Sequence, residues 1–399
     1  YAKGLGELIL RIRDRLCGDD QKASNVFKVY LIAHSMGGLI CRCLLQNPAV
    51  DPQQTRQYVD KVFTYATPHN GIDLRIIGNV PGFFSRNNAD NFNRQRMRTY
   101  LALPPGNDEE SVTTLNGTFD PDRFFCLVGT NHRDYEVAAG WSSRVVGPMS
   151  DGLVRITNAT VCGPWHENGQ EVIKQAPRAF VYRSHSGHYG IVNSEEGYQN
   201  LTRFLFGDVR VDGVLEVKDL RLPPDVDRAY KSGKKVRASY HFEVVVRTRG
   251  SYYALHRRTV NDESAVFRRF DEILRPERVG LKSSRHSHLF SVFLSTRQRV
   301  NKRRRSLGFS IDLGVQVPQY ELDGFLMFDS HYEGGYLFRD GINLEAIPPD
   351  DVCLTWRLRY GFDSQTPNRT TKTIEPTLSG GILEFRIPIE QKTRPGISA

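Results

Sequence analysis

Two patterns of apolar and polar positions divide the chain. In the first half, short apolar runs alternate with stretches of helical period. Residues 29–33 (VYLIA), 61–66 (KVFTYA), 124–129 (FFCLVG) and 179–182 (AFVY) each read as a strand. The first of these is apolar and partly β-branched, the pattern of a strand covered on both faces. Residues 4–17 have helical spacing, with Leu5, Leu8, Ile9, Ile12 and Leu16 on one stripe. A second helix is predicted over about 194–206, starting at Ser194 and carrying Tyr198, Leu201, Phe204 and Leu205 on its apolar side. Strands that alternate with helices predict an α/β domain built on a mostly parallel sheet.

Beyond Gly207 and Asp208 the texture changes. Residues 236–247, 288–300, 306–317, 353–360 and 382–389 alternate in polarity, with Pro, Gly and Asn/Asp clusters between them. That pattern predicts an antiparallel, β-sandwich-like domain. The expected division is therefore 1–208 for the α/β domain and 209–399 for the β-rich one.

The first strand runs directly into a turn with a hydroxyl at its tip. The stretch is Val29-Tyr30-Leu31-Ile32-Ala33-His34-Ser35-Met36-Gly37-Gly38-Leu39-Ile40. Small residues flank Ser35 two positions before, at Ala33, and two after, at Gly37. A serine at the tip of a strained strand-to-helix turn exposes its Oγ, and bulk at those positions would collide with the neighbouring backbone. A helix starting at the serine aims its N-terminal N–H groups at the reacting centre, so the N–H of Met36 is a natural oxyanion donor.

This stretch resembles the nucleophile elbow of the lipase/esterase-like α/β-hydrolases, with Ala33 in place of the first glycine of G-x-S-x-G. Three later motifs carry the same resemblance: Thr67-Pro68-His69-Asn70-Gly71, Ser150-Asp151-Gly152-Leu153-Val154 and His188-Tyr189-Gly190-Ile191-Val192. The resemblance implies Ser35 as nucleophile, Asp151 as the acid and His188 as the base, in the chain order expected of that superfamily. His185, three residues earlier, is the competing base. His34, Thr67 and His69 are expected to line the substrate site. Residues 72–123 have the length of a lid or cap insertion, and its Phe83 and Phe84 are candidates to meet an apolar acyl group. Arg94, Arg96 and Arg98 in this segment read as a solvated face. The resemblance also places further strands, and the loop with the second oxyanion donor, upstream of Tyr1.

The activity implied is carboxylic-ester hydrolysis on acyl lipids, through an acyl-enzyme and with no metal or organic cofactor. The same triad also serves amidases, thioesterases and acyltransferases. The reading from another class is a non-catalytic lipid- or protein-binding protein on a hydrolase scaffold.

Composition changes the picture little. Two domains suit 399 residues, and 39% hydrophobic with 25% charged residues suits a soluble globular protein. No run approaches the ~20 apolar residues of a membrane span. A net charge of +9 suits anionic surroundings. The most basic stretch, residues 297–305, reads as a solvated hairpin tip, with contact to an anionic membrane surface or to nucleic acid as alternatives. Nucleic acid is not expected, because the basic residues lack an interleaved aromatic platform. Six cysteines without paired spacing point towards a reducing compartment, such as the cytoplasm.

Overall fold

The computed structural model describes residues 1–72, 90–107, 109–134, 147–167, 169–274, 285–299, 301–322, 330–365 and 371–392. The chain forms two units, Tyr1–Phe206 and Gly207–Ala399.

The first unit opens with helices α1 (Ala2–Cys17) and α2 (Gln21–Val26), then strand β1 (Val29–His34), helix α3 (Met36–Gln46) and strand β2 (Val59–Tyr65). Helix α4 (Arg94–Tyr100) and strand β3 (Phe124–Gly129) follow. The unit closes with a hairpin of β4 (Cys162–Glu167) and β5 (Gln170–Gln175), strand β6 (Arg178–Val181) and helix α5 (Glu195–Phe206). Strands β1, β2, β3 and β6 lie side by side in that order and all run parallel.

Side-chain alternation splits this sheet into two covered faces. Val62, Phe124, Cys126 and Val128 face the cluster built with Leu39, Leu44 and Leu45 of α3. Phe63 and Phe125 point the other way, stack at 5.0 Å and meet Phe204 of α5. Ser194 caps α5 by accepting the N–H of Gly197 at 3.0 Å.

Three expectations change. Strand β1 is not covered on both faces: it is the edge strand, and Tyr30 (41%) and Ile32 (52%) stay exposed. Helix α5 meets it at Phe206, whose ring lies 5.9 Å from that of Tyr30. The stripe of α1 is also not a single buried face. Ala2, Gly6 and Ile9 are buried, whereas Leu8, Ile12 and Leu16 are exposed. Close approach to α3 selects that face, since a Cβ on Gly6 would lie 3.2 Å from Leu44 Cδ1. Finally, the described part of the expected lid contributes to the core. Phe92, Met97, Leu101, Val112 and Leu115 belong to the main apolar cluster. Arg98 is buried there, donating to Glu110 and to the Pro104 carbonyl, while Arg96 stays exposed. Phe83 and Phe84 lie outside the described residues.

The second unit is antiparallel. Its strands are β7 (Val209–Glu216), β8 (Val236–Thr248), β9 (His256–Arg258), β10 (Val266–Arg269), β11 (His286–Leu294), β12 (Leu307–Leu322), β13 (Ser330–Ile347), β14 (Arg357–Phe362), β15 (Lys372–Ile374), β16 (Thr377–Ser379) and β17 (Ile382–Glu384). The large sheet has the order β10-β8-β12-β13-β14-β15, with β9 also on β8. The layer against it is a ribbon of β7 and β11 with the short helices α6 (Pro224–Lys231) and α7 (Phe270–Leu274), rather than a second sheet of similar size. Its core joins Phe242, Val244 and Val246 of the sheet to Phe290 and Val292 of the ribbon and Val226 and Ile273 of the helices. Among the described residues, no helix is long and apolar enough to cross a membrane.

Candidate active site

The carboxyl ends of β1, β3 and β6 bring three chemically useful side chains together, the edge where open α/β sheets place their ligands. Ser35 follows β1 immediately and precedes α3. Its φ of 53° lies in the left-handed region, which a non-glycine residue holds only when its surroundings impose it. Two bonds impose it here. The Ser35 N–H donates to the Tyr65 carbonyl at 2.9 Å, and the Thr67 hydroxyl donates to the Ser35 carbonyl at 2.9 Å. Gly38 makes room for that threonine: a Cβ there would lie 2.3 Å from Thr67 Oγ1. At Gly37 a Cβ would meet Ala33 Cβ at 3.4 Å, an ordinary contact, so alanine serves where the motif has glycine.

Asp151 and His185 complete the group. The Ser35 hydroxyl faces His185 Nε2 at 3.0 Å, and His185 Nδ1 faces Asp151 Oδ2 at 2.9 Å. All three residues are buried. The other carboxylate oxygen of Asp151 accepts the N–H groups of Leu153 and Val154 at 3.0 and 2.7 Å. These bonds come from the Asp-Gly turn and fix the direction of the carboxylate. The backbone joins the two loops as well, since the His185 N–H donates to the Asp151 carbonyl at 2.9 Å. With Nδ1–H donating to the carboxylate, Nε2 is left as an acceptor for the serine hydroxyl. Gly129 ends β3 beneath this crossing. A Cβ there would stand 2.6 Å from the Arg183 carbonyl and 2.8 Å from Asp151 Cβ.

His188 does not reach Ser35. It is exposed, with its ring against Tyr189 at 4.9 Å. The cause is a small loop closed by bonds from the Ser184 N–H to the Tyr189 carbonyl and from the Ile191 N–H to the Ser184 carbonyl. Gly187, with φ 88°, turns the chain at its tip. The residue just inside that closure, His185, therefore stays at the sheet edge, while His188 is carried out to solvent.

The three other expected site residues act on the scaffold. His34 is partly buried, and its Nε2 lies 2.9 Å from the His185 carbonyl, with the two rings 4.8 Å apart. Burial, and then the neighbouring His185, push its pKa down to about 4, so the neutral ring donates to that carbonyl and holds the histidine loop. Thr67 is buried and braces Ser35. His69 packs in the same way. It is fully buried, with Nε2 3.1 Å from the Thr64 hydroxyl. Burial first, then Arg42, hold its pKa well below the usual histidine range.

Arg42, which the sequence reading passes over, lies fully buried in α3. Its guanidinium donates to Gln46 Oε1 and to the carbonyls of His69, Val112 and Thr114 at 2.8–2.9 Å. It ties α3 both to the turn after β2 and to residues 112–114. Cys41 and Cys43, next to it, are buried free thiols, and burial raises Cys41 to about 12.

His34, partly buried, and His69, fully buried, should make the fold acid-sensitive. In the unfolded chain His34 takes up a proton near 6.5, whereas in the fold it resists protonation until about 4. Stability is therefore complete above about pH 6.5 and falls as the pH drops towards 4, His34 alone contributing up to about 3 kcal/mol. His69 acts in the same direction. Melting temperatures taken across this window should decline, and less steeply for His34→Gln; equal slopes would contradict the account.

Comparisons with known proteins agree with this architecture. Residues 2–161 match the family model described as a PGAP1-like alpha/beta domain. The first unit has an α/β-hydrolase fold. The match covers the Ser35 turn, the turn after β2 and the Asp151 turn, and ends before the His185 loop. No curated protein matches the chain. Among solved structures, "Phospholipase PlaB from Legionella pneumophila" is 14% identical, with a TM-score of 0.32 over 83% of this chain and 77% of that one. "Crystal structure of Bacillus licheniformis lipase BlEst2 in propetide form" is 11% identical, with a TM-score of 0.32 over 86% of this chain and 83% of the other. Likenesses of this size carry no conclusion about chemistry.

Proposed function

We propose that this protein is a serine hydrolase that cleaves carboxylic esters of acyl lipids. The observation that carries the reading is the continuous hydrogen-bonded chain from Ser35 Oγ through both nitrogens of His185 to Asp151. In this reading Ser35 is the nucleophile and His185 the general base. His185 takes the hydroxyl proton as Oγ attacks the acyl carbonyl. Asp151 holds the imidazole in its tautomer and stabilises the cation that forms. The N–H of Met36 opens α3, so it has no partner within the helix and is free to hold the developing oxyanion. His185 then protonates the leaving alcohol, and water repeats the sequence on the acyl-enzyme. Acyl lipids are the substrate class that fits a lipase-like elbow.

Ser35→Ala tests the assignment. The Ser35 side chain bonds only to the His185 ring among the described residues, so its loss should leave the melting temperature nearly unchanged. Hydrolysis of p-nitrophenyl esters should fall by roughly 10³ or more, and labelling by a fluorophosphonate should vanish. An alanine variant that hydrolyses esters at the original rate would remove the nucleophile from Ser35.

A further inference from the structure

We infer that one end of the large sheet in the second unit docks on an anionic phospholipid surface. Register places three connections at that end. Thr248, at the end of β8, pairs with Phe309 near the start of β12. Leu307, two residues earlier in β12, pairs with Ala346 near the end of β13. Ile347, the last residue of β13, pairs with Arg357, the first of β14. The β8–β9 connection, the basic segment entering β12 and the β13–β14 loop therefore leave four adjacent strands at one end, across roughly 15 Å at normal strand spacing.

The side chains at this end are unusual in combination. Tyr252 in the first connection is 104% exposed, and Val352 and Leu354 in the third are 95% and 84% exposed. Scattered singly, such residues need no explanation. Here they flank the segment that carries Lys302, Arg303 and Arg305, all exposed. Among the described residues these three cations have no carboxylate partner, whereas the acids nearby are mostly engaged. Asp350 accepts from Arg357 at 2.7 Å, and Glu345 accepts from Arg359 at 3.1 Å and lies 3.9 Å from Arg304. Among the described residues, Asp351 in the same loop is exposed and makes no ion pair.

An aromatic and two aliphatic tips beside unpaired cations match the two layers of a membrane surface. Tyrosine settles at the headgroup level, aliphatic tips enter the acyl boundary, and lysine and arginine meet lipid phosphates. The charges favour an anionic leaflet over a neutral one. A nucleic acid would use the cations but leave Val352 and Leu354 in water. This inference is independent of the chemistry at Ser35.

The full chain carrying Ser35→Ala, which leaves lipids intact, should be sedimented with vesicles. Phosphatidylcholine alone would be compared with phosphatidylcholine containing about 30% phosphatidylserine. Partition should require phosphatidylserine and fall at least tenfold between about 0.1 and 0.5 M salt. Replacing Lys302, Arg303 and Arg305 by Gln together should weaken it about 100-fold, at about fivefold per charge. Tyr252→Ser, Val352→Ser and Leu354→Ser together should remove the part that survives high salt. All six side chains are exposed, so melting temperatures should not change. Equal partition onto both vesicles, partition of either triple variant like that of its parent, or binding to duplex DNA without binding to vesicles would overturn the inference.

Discussion

His185→Ala is expected to lower kcat by about 10³ to 10⁶, while His188→Ala leaves it within about twofold. The asymmetry follows from position. His185 is buried and bonded on both ring nitrogens, to Ser35 and to Asp151. His188 stands in solvent at the tip of its loop. Because a triad acts as a unit, removing its base costs nearly as much as removing the nucleophile, and the residual rate comes from the oxyanion donors and binding. Asp151→Asn should be milder than His185→Ala, since the imidazole loses control of its tautomer but keeps its contact with Ser35. Steady-state rates on a soluble ester decide this, together with melting temperatures to exclude unfolding. The reverse ranking would move the base to His188 and would require the loop to rearrange. Full activity in both variants would leave no Ser-His-Asp chemistry and favour a binding function.

Arg42→Met should destabilise the first unit by about 3–5 kcal/mol, the largest effect expected at a residue that touches no reacting group. Among the described residues the guanidinium has no carboxylate partner. It is held by three carbonyls and one amide oxygen, and burial lowers its pKa to about 10. Methionine keeps the apolar stem but leaves those buried acceptors without donors. Arg42→Lys should recover only part of the loss, because an ammonium cannot span the same set of directions. Urea titration followed by a probe in the first unit would measure the shift in midpoint. A midpoint unchanged in Arg42→Met would mean that other groups or water satisfy the carbonyls.

Local pattern accounts for much of the first unit. The strand over 124–129 matches β3, and the other three parallel strands were off by at most two residues at either end. Continuous apolar runs between turn residues have few alternative readings. The second unit was less legible. The longest strand, β13, contains Gly334, Gly335 and Asp340-Gly341, which locally read as turns. Its neighbours β12 and β14 hold it extended through paired backbone, and at Gly341 a Cβ would come 2.1 Å from Asp363 Oδ2. Cross-strand pairing overrode local propensity there.

The turn at Ser35 could be read from sequence because its requirement is local: a positive φ, small neighbours and a helix immediately behind it all lie within a few residues. Asp151 was legible for the same reason, since the Asp-Gly turn holds its own carboxylate through the next N–H groups. The choice between two histidines three residues apart was not local. It rests on a loop closed between Ser184, Tyr189 and Ile191, and on where β6 delivers that loop relative to β1 and β3. The roles of Thr67, His69 and Arg42 were hidden for a similar reason. Each is defined by a partner on another element, and sequence pattern records which face a residue prefers but not what it meets there. The sequence by itself determined the alternation of strands and helices and the turn that exposes a serine. Only the tertiary structure decided which imidazole the serine meets, because that depends on three sheet edges brought within hydrogen-bond reach.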